Sequence, residues 1–497
     1  MTSSSKNKSL IILGNGADLY CELNTTFKDF LTQENNNNNI SNIYESLKAI
    51  KVCDLSLKNI FLTSKYEIKN HKFLQKIYRF PIYKLLNKNI SIDSFLDSEF
   101  NQVNSNPKEI EETKNKIKQE INKVIETLET TMKDISEMNF WEILLILMDQ
   151  TNGSWYDIET CIRDFLTMQS FLSEPDKSAI EYIHDSIRDL NSEEFFSLNE
   201  INNYSPLNNF NFRFIIYVII NKIINDDDSR KLCLTTIQYQ SFLLDELHEF
   251  ENKFSDFVIS EVDKNNSRND QKHYYRSMNI LIRSLITLSA NDKANILSFN
   301  YTSVNPNGEL VEKFKNIHGS LYLKKQKSGN INKSNVIFGI DRNTFFPIKL
   351  SQKSIDLIYP FTKTQRVIEL STDYKKESKR VNVIENNINE IVFFGHSLGE
   401  SDYSYFISIF DYYKLHDSKL KLKFVFNPKR NNREPDDNDV RNARSRQAKK
   451  ISNLINRYAN TLENKSYGKN LLHKLLVEDR IQIVDIRDVD TKEMWKK

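Results

Sequence analysis

Cysteine is scarce in this chain, with four in 497 residues, at Cys21, Cys53, Cys161 and Cys233. No two are spaced as a C-x-x-C pair. That excludes a cysteine zinc module and a disulfide framework, and no metal is expected; four reduced thiols fit a cytoplasmic protein. Long apolar runs are also missing. The most membrane-like stretch, Phe210–Ile224, is interrupted by Arg213 and Lys222. It falls far short of the ~20 apolar residues that a span requires, so it reads as a buried helix and no membrane partner is expected. Met1–Lys8 is polar and shows no secretory signal. Charge of one sign is absent too. The 69 Lys and Arg against 67 Asp and Glu leave +2, with no global attraction to nucleic acid or to an anionic membrane. Glycine is rare, ten in all, and six of the ten sit in short clusters beside apolar runs: Gly14, Gly16, Gly319, Gly339, Gly395 and Gly399.

What is present is a polar globular mixture, 39% hydrophobic and 27% charged. A chain of this length exceeds what one core usually supports, so two regions, or one domain carrying a large insertion, are expected. Ser9–Leu13 is a short apolar run that ends in the turn Gly14-Asn15-Gly16, and Asp18–Leu31 has helical spacing. Asn35–Asn39 reads as a surface loop. From Ser41 to Ala290 the pattern is helical, with amphipathic stretches at Lys108–Lys133, Trp155–Phe171, Thr235–Val262 and Tyr274–Leu288. After Asn295 short apolar runs alternate with helical spacing: Ile296–Phe299, Val336–Phe338, Ile391–Phe394, Leu422–Phe426 and Ile481–Ile486. Such runs mark a parallel sheet. The reading is an α/β fold, a Rossmann-type parallel sheet formed by 1–34 and 291–497, with 35–290 as a large α-helical insertion that would host regulation or a partner. Lys429–Lys450 is basic, interrupted by Asp436-Asp437-Asn438-Asp439, and reads as a solvated loop and helix face or a phosphate-contacting patch.

Ligands of open α/β sheets sit at the carboxyl ends of strands, so residues that follow the apolar runs are the candidates. Gly14-Asn15-Gly16-Ala17-Asp18 could present amides to a pyrophosphate, or be a tight turn in which Asp18 stabilises a helix start. Asn300 in Phe299-Asn300-Tyr301-Thr302 could hold a ribose hydroxyl or a water, or form a turn. His318 in Asn316-Ile317-His318-Gly319 is suited to accept a proton near neutral pH, or is structural. Gly395-His396-Ser397-Leu398-Gly399-Glu400-Ser401-Asp402 resembles a second phosphate- or ribose-binding turn, in which Asp402 could be an N-cap. Its serine is not central in the way a hydrolase elbow requires, which excludes that reading.

These segments, with Thr25, Phe27, Asp29, Phe30 and Trp155-Tyr156-Asp157-Ile158-Glu159, resemble the AbiH abortive-infection family. Their order also resembles the sirtuin-like NAD-consuming superfamily: a glycine turn, Asn300, His318-Gly319, Phe338-Gly339, Gly395-His396-Ser397-Leu398, then Asn427 after a strand. The zinc module of the deacylases is lacking. The resemblance therefore implies an anti-phage effector that depletes NAD by hydrolysing its nicotinamide–ribose bond, with NAD as substrate and no metal. In that scheme Asn300 and His318 are catalytic. Gly14, Asn15, Gly16, Asp18, Gly319, Gly395, His396, Ser397, Asp402 and Asn427 bind the nucleotide. Alternatives are a non-catalytic sensor of NAD or ADP-ribose and a nucleic-acid-acting toxin using Arg441–Lys450. A homo-oligomer or a partner defence protein would dock on the helical insertion.

Overall fold

A computed structural model of the chain describes residues 8–30, 91–101, 106–135, 138–145, 158–167, 239–267, 274–289, 293–302, 309–321, 335–341, 350–371, 381–429 and 434–489, with a few single positions. Asn35–Asn39, Trp155-Tyr156-Asp157 and most of Phe210–Ile224 lie outside these residues. In chain order the elements are β1 (Lys8–Leu13), α1 (Gly16–Tyr20), α2 (Ile92–Phe100), α3 (Pro107–Ile135), α4 (Ile158–Thr167), α5 (Tyr239–Ser267), α6 (Tyr274–Leu288), β2 (Ala294–Ser298) and β3 (Val311–Asn316). They continue with α7 (Gln352–Ile358), α8 (Lys363–Ser371), β4 (Ile388–Phe394), α9 (Tyr403–Tyr412), β5 (Lys421–Phe426), α10 (Asp437–Thr461), α11 (Lys465–Lys469), α12 (Leu471–Val477) and β6 (Ile481–Asp485). Two compact units result: 1–30, 251–346 and 361–497 in one, 31–250 and 347–360 in the other, with the division falling inside α5 between Phe250 and Glu251.

The first unit holds a six-stranded, all-parallel sheet in the order β3-β2-β1-β4-β5-β6. Central parallel strands are covered on both faces, which is why β1, β2 and β4 are near-continuous apolar runs. Alternation divides their side chains. Leu10, Ile12, Leu297, Phe299, Ile391, Phe393, Leu422 and Phe424 share one buried cluster with Phe406, Ile409 and Phe410 of α9 and with Ile451, Leu454, Ile455 and Tyr458 of α10. Ile11, Leu13, Ile296, Val392 and Phe394 are buried on the opposite face, where α6 packs against β1. Register aligns the carboxyl ends: Leu13 pairs with Ser298 and Phe394, Ser298 with Asn316, and Phe394 with Val425. Everything that follows those residues in sequence emerges along one edge.

Two sequence expectations are corrected, and one strand is added. Val336–Phe338 is buried but not a sheet strand; its chain bonds the neighbouring loops, Ile337 N–H donating to His318 O at 3.1 Å and Ile340 bridging Thr362. The strand beside β2 is β3 instead, an edge strand whose only large apolar residues are Val311 and Phe314 and whose exposed positions are polar. The helix expected over Asp18–Leu31 stops at Tyr20. Glu22 takes φ +61°, outside the helical region, and Thr26 and Asp29 cap a new helical turn through reciprocal side-chain bonds.

The second unit is helical. Lys114 and Lys118 of α3 pair with Asp97 and Asp93 of α2 at 2.7 and 2.6 Å. Its core centres on Phe140, Trp141 and Phe165, and the Trp141 indole donates to Leu243 O of α5. No helix among the described residues is long and apolar enough to cross a membrane.

In the first unit, a buried ion pair fixes α8. Arg366 donates from both terminal nitrogens to Glu251, at 2.8 Å for Nη2, and from Nη1 to Phe338 O at 2.7 Å; Glu251 in turn accepts the Phe338 N–H at 2.7 Å. Removing one partner strands a buried charge, so Arg366→Met is expected to cost about 3–5 kcal/mol in denaturant unfolding. The double variant Arg366→Met/Glu251→Gln should recover most of that loss. Additive losses would show that the pairing carries no such coupling.

Candidate functional site

The turns after β1 and β4 meet at the point where the strand order reverses direction. Gly16 N–H donates to Gly395 O at 2.8 Å, and Gly14 N–H to Phe394 O at 3.0 Å. Gly395 has φ +71°, and a Cβ built on it would lie 2.4 Å from the Ala17 nitrogen, so only glycine fits there. These contacts account for the glycines of both turns, and they occupy the Gly14 and Gly16 amides. Asn15, exposed, bonds Thr25 through Oδ1 at 2.6 Å.

Two polar clusters emerge from the same edge. Residues 299 and 300, successive along the chain, serve different ones. The Asn300 amide faces Asp18, which is buried and also accepts from the Tyr274 hydroxyl at 2.8 Å and from Thr302 at 3.0 Å. Burial pushes the Asp18 carboxyl up to about 6, and the three hydrogen bonds only partly offset it. The reading of Asp18 as merely a helix-start residue misses this: α1 is five residues long, and the carboxylate is spent on Tyr274, Thr302 and Asn300. Asn316 anchors the loop by donating to Asn300 O at 2.7 Å and Thr302 O at 3.1 Å. Asn300 Oδ1 is buried and has no partner.

The Phe299 ring meets both imidazoles of the other cluster edge to face, 5.4 Å from His318 and 4.6 Å from His396. Here Asp402 is the hub. Lys363 Nζ lies 2.7 Å from its Oδ1, His396 Nε2 3.3 Å from its Oδ2, and His318 Nε2 3.7 Å from Oδ1. His396 Nδ1 accepts the Leu398 N–H at 2.8 Å, so the proton sits on Nε2 and points at Asp402. Asp402 precedes α9 but makes no side-chain cap bond, so the N-cap reading does not account for it. Burial would raise its carboxyl, yet Lys363 and the two histidines together hold it well below the usual range. Burial, then the Lys363 charge, lowers His318 to about 3, so its ring is neutral at physiological pH. His318 Nε2 is buried without a hydrogen-bond partner.

The remaining candidates are turn or surface residues. Gly319 has φ +86°, and a Cβ there would lie 1.5 Å from Asn335 O. Ser397, exposed, accepts the Gly399 N–H at 3.3 Å, and Asn427, exposed, accepts the Lys429 N–H at 3.0 Å. Lys363 and Tyr274 carried no sequence signal; both bond residues far along the chain. Two histidines and a carboxylate suggest a metal at first sight, but the place of a cation is taken by the Lys363 ammonium. No group of three or more His, Cys, Asp or Glu among the described residues suits a metal ion.

The arrangement defines a parallel α/β protein whose buried polar side chains collect on the carboxyl edge of the sheet, on both sides of the point where strand order reverses. Residues 10–424 match the family model described as bacteriophage abortive infection AbiH, and the chain belongs to that family. No curated protein and no solved structure matches it.

The Asp18 carboxyl gives a stability test. Below about pH 4 it is neutral whether the chain is folded or unfolded. Between there and about 6 the unfolded chain ionises first, so folding loses stability as pH rises, and above 6 the whole cost of about 3 kcal/mol is present. Asp18→Asn is therefore expected to stabilise the protein at pH 7.5, by about 1–3 kcal/mol after the loss of one acceptor, and not at pH 4. Thermal denaturation at the two pH values measures this; an Asp18→Asn variant no more stable than wild type at pH 7.5 would contradict it.

Proposed function

We propose that this abortive-infection protein is a cytoplasmic effector that binds NAD at the carboxyl edge of its sheet and hydrolyses the nicotinamide–ribose bond. One observation carries the reading. On neighbouring strands, each two residues past the aligned ends Ser298 and Asn316, Asn300 Oδ1 and His318 Nε2 are buried with no protein partner. A buried polar atom left unpaired costs roughly 1–3 kcal/mol, and such atoms are kept where a ligand or a water uses them. The strand order 3-2-1-4-5-6, that of doubly wound dinucleotide-binding sheets, supports it, as does the sirtuin-like order of the motifs.

Asn300 would hold the attacking water or a ribose hydroxyl, with its amide oriented by Asp18. The water oxygen bonds the ribose carbon as the bond to nicotinamide breaks, through an oxocarbenium-like transition state. Nicotinamide leaves neutral, so no general acid is needed, and the proton shed by the water passes to His318. The Gly14-Asn15-Gly16 turn, Gly319, Gly395, His396, Ser397 and Asn427 would line the nucleotide along the same edge. A second reading, a sensor that releases its nucleotide unchanged, is favoured by the low proton affinity of His318.

Chromatography of NAD incubated with the protein, alone and with phage-infected lysate, separates the two. Hydrolysis gives nicotinamide and ADP-ribose in equal amounts, and His318→Ala and Asn300→Ala each lower the rate at least ~100-fold. NAD that is retained by the protein and recovered intact under every condition selects the sensor.

A further inference from the structure

We propose that Lys363 and His318 compete for one oxygen of Asp402, so that Lys363 governs whether His318 can take up a proton. The geometry is a contest over Oδ1. Oδ2 is engaged by His396, whose Nε2 proton is directed there because Nδ1 already accepts the Leu398 amide. Lys363 Nζ holds Oδ1 at 2.7 Å. His318 Nε2 stands 3.7 Å from that same atom, just beyond hydrogen-bond range, and has no other partner.

The titratable and charged groups facing His318 are Lys363 from the start of α8, Asp402 ahead of α9, His396 from the turn after β4 and Tyr405 of α9, whose ring centre is 5.3 Å away. Phe299 closes the side towards β2. Among the described residues, Asp402 is the only anion within this shell. While the ammonium neutralises it, a second cation on His318 would face Lys363 without compensation, and the imidazole stays neutral. If the ammonium leaves, Asp402 remains buried and ionised, and a protonated His318 is the nearest cation that can pair with it. Lys363 is thus a positioning residue acting through Asp402. Arg366 lies one turn further along α8 and is locked to Glu251, which fixes the helix that presents Lys363. A phosphate-bearing ligand that draws Lys363 towards itself would have the same effect as removing its charge. For the site described above, substrate binding would then itself convert His318 into an effective base. That consequence rests on the NAD reading; the competition for Oδ1 does not.

Proton NMR of ring-labelled histidine tests the proposal, with His318→Gln identifying the signal among the eight histidines. In wild type the His318 ring is expected to stay neutral from pH 8 to pH 5. In Lys363→Met it should titrate inside that window, a gain in proton affinity of at least about a hundredfold. Lys363→Arg, which keeps the charge, should behave as wild type. In Lys363→Met/Asp402→Asn the ring should be silent again, because the anion it would pair with is gone. Should Lys363→Met fail to fold by circular dichroism, Lys363→Gln carries the same expectation. In wild type, saturating inorganic pyrophosphate, the probe for a phosphate ligand, should also bring His318 into the window. A His318 ring that remains silent in a folded variant lacking the Lys363 charge overturns the proposal, and so does one that titrates equally in Lys363→Arg. These outcomes are independent of turnover. If NAD is untouched but His318 titrates as described, the NAD reading fails and the competition stands; if NAD is hydrolysed while His318 stays silent, the reverse holds.

Discussion

The backbone of Gly395 lies against that of Gly14 and Gly16 with no room for a side-chain atom between them. That contact joins the ends of β1 and β4, the two strands between which the chain's path through the sheet changes direction. Because all registers align at this level, bringing these two turns together also sets the heights of Asn300 and His318, which leave the neighbouring strands β2 and β3. The residues with chemistry are therefore placed by backbone packing among glycines, and the side chains on either side are left free to be polar.

Those polar side chains are not arranged for stability. Asp18 is ionised in a place that disfavours charge, with only neutral donors around it. Asp402 is satisfied, but by a lysine that is itself 2% exposed, and Asn300 Oδ1 and His318 Nε2 are buried without a hydrogen-bond partner. The rest of the unit compensates with apolar packing on both faces of the sheet and with the Glu251–Arg366 pair that pins α8. Strain of this kind, concentrated at one edge of an otherwise well-packed sheet, is how binding sites differ from cores.

Much of this was legible in sequence, and the reasons for the rest are physical. β1, β2, β4 and β5 announce themselves as apolar runs because buried parallel strands must be apolar, and β6, although an edge strand, keeps Ile481, Ile483 and Val484. β3 does not, since an edge strand needs only Val311 and Phe314 to face inward. Val336–Phe338 has the composition of a strand because it is just as buried, yet composition reports burial and not hydrogen-bond partners. The break after α1 hinged on the backbone angle of Glu22, although the Thr26-x-x-Asp29 cap was there to be read. Asn300, His318, His396 and Asp402 could be picked out because they follow strands. Lys363 could not: a buried lysine looks like any surface lysine until the partner 39 residues away is known. Side-chain contacts group Asn300 with Asp18, and His318 and His396 with Asp402.

α10 separates charge in a way the net value of +2 conceals. Its acidic residues sit in the first turn, where Asp436 and Asp439 cap each other and Asp437 and Asp439 face the positive end of the helix dipole. Beyond them, Val440–Thr461 holds six arginines and lysines and no acid, while the inner side of the helix is anchored in the core by Ile451, Leu454, Ile455 and Tyr458. Arg441, Arg444, Arg446, Lys449, Lys450 and Arg457 are all exposed. Near its isoelectric point of about 8.0 the molecule still presents this exposed row of six cations. On a negatively charged chromatography matrix it would be retained, and held in one orientation by this ridge, at a pH where its total charge is zero.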